Sequence, residues 1–264
     1  MIQRLRSMYA LYKQYTHPDT VFIYQMGKVG STALENSIEG AVHIHNFYSA
    51  NHPCRVRLAG LAGFGWRYYL KRLAQECEML VKRIAFKRRK HSKIVTLVRA
   101  PLERNISMFF HDLDCYLFAL YSNCDRTPYP PAATRTQDPT VLYEAFNKHF
   151  QHEYPLSWFD RELKRMTGVD IYSHPFDKHS GFIKINEQGC EVLCLDIRVL
   201  KRSKAAICEF LEQDIEISFA NQAEHKWYGD LYAHFKHTYK PTQELVSKLE
   251  GSKFYQHFYA QGPQ

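Results

Sequence analysis

The chain alternates between short runs of apolar residues, typical of buried strands, and stretches in which apolar residues recur at helical spacing. Residues 21–24 are all β-branched or aromatic, and this composition predicts a strand. Residues 33–39 predict a short helix that ends at Gly40, because glycine suits a helix C-cap. Residues 93–98 predict a second buried strand, which leads into Pro101 in the first turn of another helix.

The same patterns place further elements along the chain. Helices are predicted at residues 64–90, 101–120, 141–152, 156–166, 203–211 and 243–258, and strands at residues 41–45, 182–186 and 190–197, the last two as adjacent strands or a hairpin. Four prolines predict a loop over residues 122–139. Strands alternating with helices favour one α/β domain over residues 1–264, with a central parallel sheet flanked by helices, a helical C-terminal part and an N-terminal extension at residues 1–19.

Composition narrows the class of protein. With 264 residues, of which 45% are apolar, the chain can bury a core, and this argues against wholesale disorder. Lysine and arginine total 35 against 27 acidic residues, and the resulting charge of +8 suits an anionic cofactor, an acidic glycan, nucleic acid or an anionic membrane. Because no recognised nucleic-acid module is present, we expect no nucleic-acid partner.

The cysteines and the first residues bear on location. The seven cysteines include no CxxC pair, and Cys190 and Cys194 would lie roughly 13 Å apart on an extended strand, too far to bridge. Residues 1–14 are basic and lack the apolar region of a signal peptide. No stretch approaches the length of a membrane span. We therefore expect reduced thiols and a soluble, cytoplasmic protein.

A candidate anion site follows the first strand. Two glycines, Gly27 and Gly30, bracket Lys28, and a helix N-terminus follows directly. Backbone N–H groups at such a turn, together with a lysine, can hold a phosphate. This is not a Walker A loop, because Lys28 precedes the sequence Val29-Gly30-Ser31-Thr32 instead of standing between the second glycine and the hydroxyl residue. An ordinary strand–helix turn with a solvated lysine is the alternative.

The second strand–turn–helix unit offers another phosphate contact. Arg99 leaves the tip of the strand, and Ser107 lies about two turns into the helix. A guanidinium and a hydroxyl placed in this way can bind one phosphate together.

A pair of histidines supplies the candidate base. His43 and His45 share one face of the predicted strand at residues 41–45, because strand side chains alternate. A histidine near the carboxyl end of a strand can act as a general base. His45 is preferred because it lies nearer that end; a merely structural, hydrogen-bonded histidine is the alternative.

The segment at residues 55–92 is strongly basic and contains the predicted helix at residues 64–90. Its cationic side could hold a sulfated or uronic-acid glycan or rest on an anionic membrane surface, or it could simply be solvated. No triplet of residues has the spacing of a zinc site, so no metal is expected.

Together these motifs resemble a known family. Residues 25–32 resemble the 5′-phosphosulfate loop of carbohydrate sulfotransferases, which use 3′-phosphoadenosine 5′-phosphosulfate (PAPS), and residues 98–107 are similar to their 3′-phosphate motif. His43-Ile44-His45 resembles the His-x-His of the uronyl and heparan 2-O-sulfotransferases. Residues 221–228 resemble the Asn/Lys-Trp-Tyr signature of a bacterial family of capsular polysaccharide synthesis proteins, although Gly229 stands where that signature has serine.

The resemblance implies a P-loop-like sulfotransferase fold and transfer of a sulfuryl group from PAPS to a saccharide hydroxyl, without a metal. It also implies roles for single residues. His45, or else His43, would be the catalytic base. The PAPS ligands would be Gly27, Lys28, Val29, Gly30, Ser31 and Thr32 at the 5′-phosphosulfate, Arg99 and Ser107 at the 3′-phosphate, and Lys226 near the phosphates.

One rival function is that of an ATP-dependent kinase for a small molecule or sugar, which needs an acidic strand end that is not evident here. Another is a non-catalytic glycan- or membrane-binding assembly protein.

Overall fold

A computed structural model describes residues 2–48, 66–113, 116, 138–217 and 226–260. Most of the predicted proline-rich loop at residues 122–139 lies outside these ranges. So do the start of the basic segment and Asn221 to His225 of the signature motif.

The core is a five-stranded sheet with the order β2-β1-β3-β5-β4. Its strands are β1 (Val21–Tyr24), β2 (Val42–Ile44), β3 (Ser92–Val98), β4 (Phe182–Glu187) and β5 (Cys190–Asp196). The first four strands in this order are parallel, whereas β4 is antiparallel to β5. The sheet is therefore mostly, not wholly, parallel, and the hairpin alternative for the last two strands is confirmed. The carboxyl ends of the four parallel strands meet at one edge, where ligands collect in open α/β sheets.

Helices surround this sheet. In the described ranges they are α1 (Ile2–Thr16), α2 (Ser31–Glu35), α3 (Trp66–Lys87), α4 (Pro101–His111), α5 (Pro139–His149), α6 (Tyr154–Trp158), α7 (Arg165–Thr167), α8 (Lys204–Leu211), α9 (Gly229–Thr238), α10 (Gln243–Glu250) and α11 (Lys253–Phe258). A π-helical segment, Phe159–Lys164, joins α6 to α7. The N-terminal extension is integrated into the fold, because α1 packs on α3 and Tyr15 is buried against Phe22 and Phe47.

Three predicted helices were wrong in extent. Helix α4, predicted to continue to residue 120, ends at His111 with Asp112 as its C-cap. Helix α2 ends at Glu35, and Gly40, with φ of 71°, belongs to a following turn instead of a C-cap. The single helix predicted at residues 243–258 is two helices, because the chain breaks at Gly251 and Ser252 starts a new helix by accepting a hydrogen bond from Tyr255 N at 3.2 Å.

The predicted basic helix is present as α3, but its apolar stripe is not packed into the core. Leu70, Leu73, Leu80 and Ile84 are 44–60% exposed, whereas Met79, Ala85 and Phe86 are the residues that α3 buries. This stripe lies beside basic side chains, as on helices that rest on membranes. Contact with an anionic membrane stays a prediction.

A second apolar cluster fixes the orientation of α4. Phe109 and Phe110 of α4 pack against Phe146 of α5 and Phe235 of α9 with ring centroids 5.2 to 6.1 Å apart. The helix that follows Arg99 and carries Ser107 is thus held by contacts with α5 and α9.

The described cysteines are free thiols, namely Cys77, Cys190, Cys194 and Cys208. Within the described ranges, no helix combines the length and hydropathy that a bilayer span needs. The cytoplasmic location stays a prediction.

Candidate functional site at the carboxyl edge of the sheet

Gln25 ties the loop after β1 to both neighbouring strands. Its backbone N–H donates to Ile44 O at 3.0 Å, and its fully buried side chain accepts a hydrogen bond from Leu97 N at 3.1 Å. The two hydrogen bonds reach β2 on one side and β3 on the other. The loop that follows therefore starts from a fixed position at the centre of the edge.

The loop itself has an unusual backbone. Lys28 and Gly30 have φ of 71° and 94°, the left-handed region that glycine favours. A Cβ atom on Gly30 would collide with Cδ1 of Ile197, the residue after β5. Gly30 is thus required both by its conformation and by the close approach of Ile197.

Helix α2 begins directly after this loop. It spans five residues, from Ser31 to Glu35, and Gly30 occupies its N-cap without a side-chain cap. The N-cap residue therefore offers no side-chain oxygen to the first turn, and the side chain of Ser31 lies outside what the structure describes. Because so short a helix has a small macrodipole, an anion here would depend mainly on side-chain cations.

The two predicted phosphate motifs lie together. Arg99 Nη1 donates a hydrogen bond to Lys28 O at 3.3 Å, and Arg99 Nε lies 3.4 Å from Glu103 Oε2. The Arg99 side chain is 18% exposed. Ser107 lies further along α4 and is partly buried. The carboxyl ends of β1 and β3 thus bring Lys28 and Arg99 to one place, as the sequence predicts.

Arg104 is a further cation that sequence reasoning missed. It is fully buried, and its Nε donates to Gly27 O at 2.9 Å. Nη1 donates to Asn105 Oδ1 at 3.1 Å, while Nη2 has no hydrogen-bond partner within the described ranges. Burial lowers the pKa of Arg104 to about 10, so it remains cationic at neutral pH. The sequence carries no clear signal for it, because Arg104 stands beside a second polar residue, Asn105, in α4.

His45 faces this loop. Its Nδ1 lies 3.1 Å from Gln25 O, so the neutral ring donates from Nδ1 and carries its lone pair on Nε2. A Cβ atom on Gly27 would lie 3.9 Å from that Nε2. Burial lowers the pKa of His45, and the positive charges of Arg104 and Lys28 lower it further. The hydrogen bond to Gln25 O raises the pKa but does not cancel this shift. His45 is therefore a neutral acceptor of protons beside the loop.

His43 shares the face of His45, as predicted. The two ring centroids are 4.3 Å apart in an edge-to-face arrangement. His43 Nδ1 contacts Glu35 Oε1, and its buried Nε2 has no partner among the described residues. Burial and then the proximity of His45 lower the pKa of His43 to about 3. Both histidines are thus neutral near pH 7.

Glu162 anchors the chain that leaves β2, and sequence reasoning missed it too. On the π-helical segment, it accepts hydrogen bonds from Tyr24 Oη at 2.9 Å, from Phe47 N at 2.6 Å and from Tyr48 N at 3.3 Å. Burial raises the pKa of Glu162, while these hydrogen bonds oppose the shift. Nearby, Trp158 Nε1 donates to His45 O at 2.9 Å. Trp158, at the end of α6, and Glu162, on the π-helical segment, therefore fix the chain that carries His45.

An acidic residue does stand at a strand end, contrary to the sequence reading. Asp196 closes β5 and is 2% exposed. Its Oδ2 accepts from Arg198 Nη2 at 2.6 Å and from Arg198 Nε at 2.9 Å, and its Oδ1 accepts from Arg198 N at 2.9 Å. Both oxygens are thus engaged by one residue. Within the described ranges, no cluster of His, Cys, Asp or Glu has the arrangement of a metal site.

The signature motif is described only from Lys226 onward. Lys226 Nζ lies 5.6 Å from the centroid of the Tyr228 ring, and Tyr228 is buried 5.8 Å from the ring of Phe110 on α4. The motif is therefore packed on the helix that follows Arg99. The predicted place of Lys226 beside nucleotide phosphates stays a prediction.

These features define a mixed α/β protein with a basic, histidine-bearing site at the carboxyl edge of its sheet. Residues 135–260 match the family model NKWYS, described as "Putative capsular polysaccharide synthesis protein". The match confirms the predicted resemblance to that family over this part of the chain and leaves Lys28, His45 and Arg99 outside it. No curated protein and no solved structure matched the chain.

Proposed function

We propose that the chain is a PAPS-dependent carbohydrate O-sulfotransferase with a P-loop-like sulfotransferase fold, acting in the synthesis of a capsular or other exported polysaccharide. One observation carries the proposal: the hydrogen bond from Arg99 to the backbone of Lys28 places the two phosphate motifs side by side. The polysaccharide family match supports a saccharide acceptor.

The cations at the edge suit a donor with phosphates at both ends. Lys28 and the backbone of residues 27–32 would hold the 5′-phosphosulfate, and Arg99 with Ser107 would hold the 3′-phosphate. Arg104 Nη2 has no partner among the described residues, although the same side chain donates to Gly27 O. This supports an anion near the loop, since a buried guanidinium N–H without a partner is costly. Lys226 would approach the phosphates from the C-terminal part.

The transfer is an in-line displacement. His45 Nε2 takes the proton of the acceptor hydroxyl while the hydroxyl oxygen bonds to sulfur. The bond between sulfur and the bridging oxygen of the 5′-phosphate breaks, and its electron pair leaves with 3′-phosphoadenosine 5′-phosphate (PAP). Lys28 stabilises the charge that develops on this leaving group. The products are a sulfate ester, PAP and protonated His45.

Incubation with PAPS labelled in its sulfuryl group and a panel of saccharides tests the proposal. Label transfer by wild type, lost in Lys28→Asn, supports it; asparagine tolerates the left-handed backbone at this position, so the change removes the charge without new strain. Lys148→Asn, on the exposed face of α5, is the matched control and should retain activity. Turnover of ATP with magnesium, without label transfer from PAPS, would favour the kinase instead.

The exposed apolar stripe of α3 favours a second candidate, the non-catalytic assembly protein. That function would survive Lys28→Asn and His45→Gln but would be lost when Arg88 and Lys90 are neutralised together. Arg89 is kept in this variant, because its guanidinium donates to Tyr15 O and Pro18 O and holds the chain after α1. The sulfotransferase predicts the opposite pattern. Complementation of polysaccharide export by these variants distinguishes the two.

A further inference from the structure

A cleft of about 240 Å³ opens beside the two histidines, between β2 and α3. Strand β2 is an edge strand, so α3 forms the opposite wall. The polar residues that line the cleft are His43, His45, Asn46, Gln75, Glu78 and Lys82. His45 also lies against Gly27, so this residue joins the cleft to the loop proposed to bind the donor.

The hydrogen-bonding groups of the cleft suit a hydroxyl-rich ligand. Two amides, a carboxylate, an ammonium and two neutral imidazoles line it, and such a set offers both donors and acceptors to sugar hydroxyls. The buried Nε2 of His43 has no partner among the described residues, although its Nδ1 is engaged by Glu35. A ligand hydroxyl that donates to this nitrogen would satisfy it.

The cleft carries little net charge even though the chain is strongly basic. Lys82 is the lysine that lines the cleft among the described side chains, and its Nζ lies 2.6 Å from Glu78 Oε1 on the same helix. Tyr15 also lines the cleft, and burial and then the negative charge of Glu78 raise its pKa. The ammonium is thus already neutralised, and among the side chains that the structure describes no other cation lines the cleft to attract an acidic sugar.

We infer that this cleft binds the acceptor and that the sugar unit held in it is uncharged. The inference rests on the proposed sulfotransferase activity and adds to it the site and the charge class of the acceptor. It also departs from the expectation that the cationic helix holds a uronic-acid glycan, because the part of α3 that faces His45 presents a neutralised ion pair.

Matched acceptors test the inference. Neutral methyl hexosides (glucoside, galactoside and mannoside) are compared with the corresponding methyl hexuronides, which differ by one carboxylate, in transfer of labelled sulfate from PAPS. Wild type should show the lower KM for a hexoside. Glu78→Gln leaves the charge of Lys82 uncompensated, so it should improve the hexuronide-to-hexoside ratio of kcat/KM on the order of tenfold. Glu76→Gln is the control and should leave the ratio unchanged, because the carboxylate of Glu76 lies 3.7 Å from Arg72 Nη2 and does not line the cleft.

The outcomes separate the two levels of the account. A wild-type preference for hexuronides, or an unchanged ratio in Glu78→Gln, overturns the inference about the cleft while sulfate transfer itself upholds the proposed function. Absence of transfer to every glycoside overturns both. The affinity of each variant for PAP, measured by calorimetry, should equal that of wild type. An unchanged PAP affinity would show that a change in the hexuronide-to-hexoside ratio of kcat/KM arises at the acceptor site.

Discussion

Arg99, at the carboxyl end of β3, donates a hydrogen bond to the backbone oxygen of Lys28, in the loop after β1, across 71 positions of sequence. The contact exists because β1 and β3 are adjacent parallel strands whose carboxyl ends point to the same edge of the sheet. Each of the two cationic motifs is weak evidence for a phosphate site when taken alone, but their contact makes them parts of one site. A nucleotide with phosphates at two positions can contact both.

His45, not His43, should be essential for turnover. His45→Gln removes the lone pair that faces the loop, and we expect kcat to fall by about 10²–10⁴-fold. His43→Gln keeps that lone pair, so its loss in kcat should be less than about tenfold, with the larger effect on acceptor KM. Steady-state kinetics on both variants checks this. Equal losses in kcat would contradict the assignment of the base.

Activity should persist into mildly acidic solution. Because the pKa of His45 is lowered in the folded protein, the ring stays neutral below the ordinary histidine pKa of about 6.5, and only deeper acidification protonates it. We therefore expect kcat/KM to be level from about pH 8 to pH 6.5 and to fall at lower pH. Thermal unfolding at each pH separates titration from denaturation. A decline that begins well above pH 6.5 would refute the assignment.

Gly30→Ala should be much more disruptive than Gly40→Ala. Both positions have positive φ, so alanine costs about 1–2 kcal/mol at each from backbone strain. Only at Gly30 does the new methyl group also meet Ile197, which should add roughly 1–3 kcal/mol; the space at Gly40 is open. Denaturant unfolding of the two variants measures the difference. Equal destabilisation would mean that the loop does not pack as described.

Glu162→Ala should destabilise the protein and displace His45. The change leaves Phe47 N and Tyr48 N without their acceptor, at a cost of roughly 1–3 kcal/mol in the free energy of unfolding. Asp160→Ala, in the same segment, removes only a partly exposed carboxylate 3.6 Å from Lys253 and should cost about 0–1 kcal/mol. Chemical denaturation tests the pair, and similar losses would show that the Glu162 network contributes little.

Local patterns predicted much of the sheet. β3 and β5 were recognisable because each contains a mainly apolar run, residues 94–98 and 192–195, and such runs have few alternatives in a buried parallel sheet. The edge strand β2 was predicted near its observed bounds, with both histidines on one face. The antiparallel placement of β4 remained one of two options, because a two-residue turn shows that strands are close without fixing how a short strand pairs.

The supporting residues of the site were much harder to predict. Arg104 and Glu162 look like ordinary surface charges in a helix, and they become buried only because tertiary packing turns those helix faces inward. The C-terminal end of helix α2 was predicted too far along the chain, because helical propensity does not show where a turn interrupts a helix. The helical spacing of the apolar residues in α3 was consistent with a helix packed into the core. Such spacing identifies an apolar face but does not show what covers it.

The central claim is that one nucleotide bridges the two motifs, with its 5′-phosphate at Lys28 and its 3′-phosphate at Arg99. Calorimetric titration with PAP and with AMP, for wild type and Arg99→Ala, tests it most directly. Wild type should bind PAP more tightly than AMP, and Arg99→Ala should weaken PAP about 10- to 100-fold while leaving AMP nearly unchanged, because only PAP carries the phosphate that Arg99 contacts. Equal affinity of wild type for PAP and AMP would contradict the account.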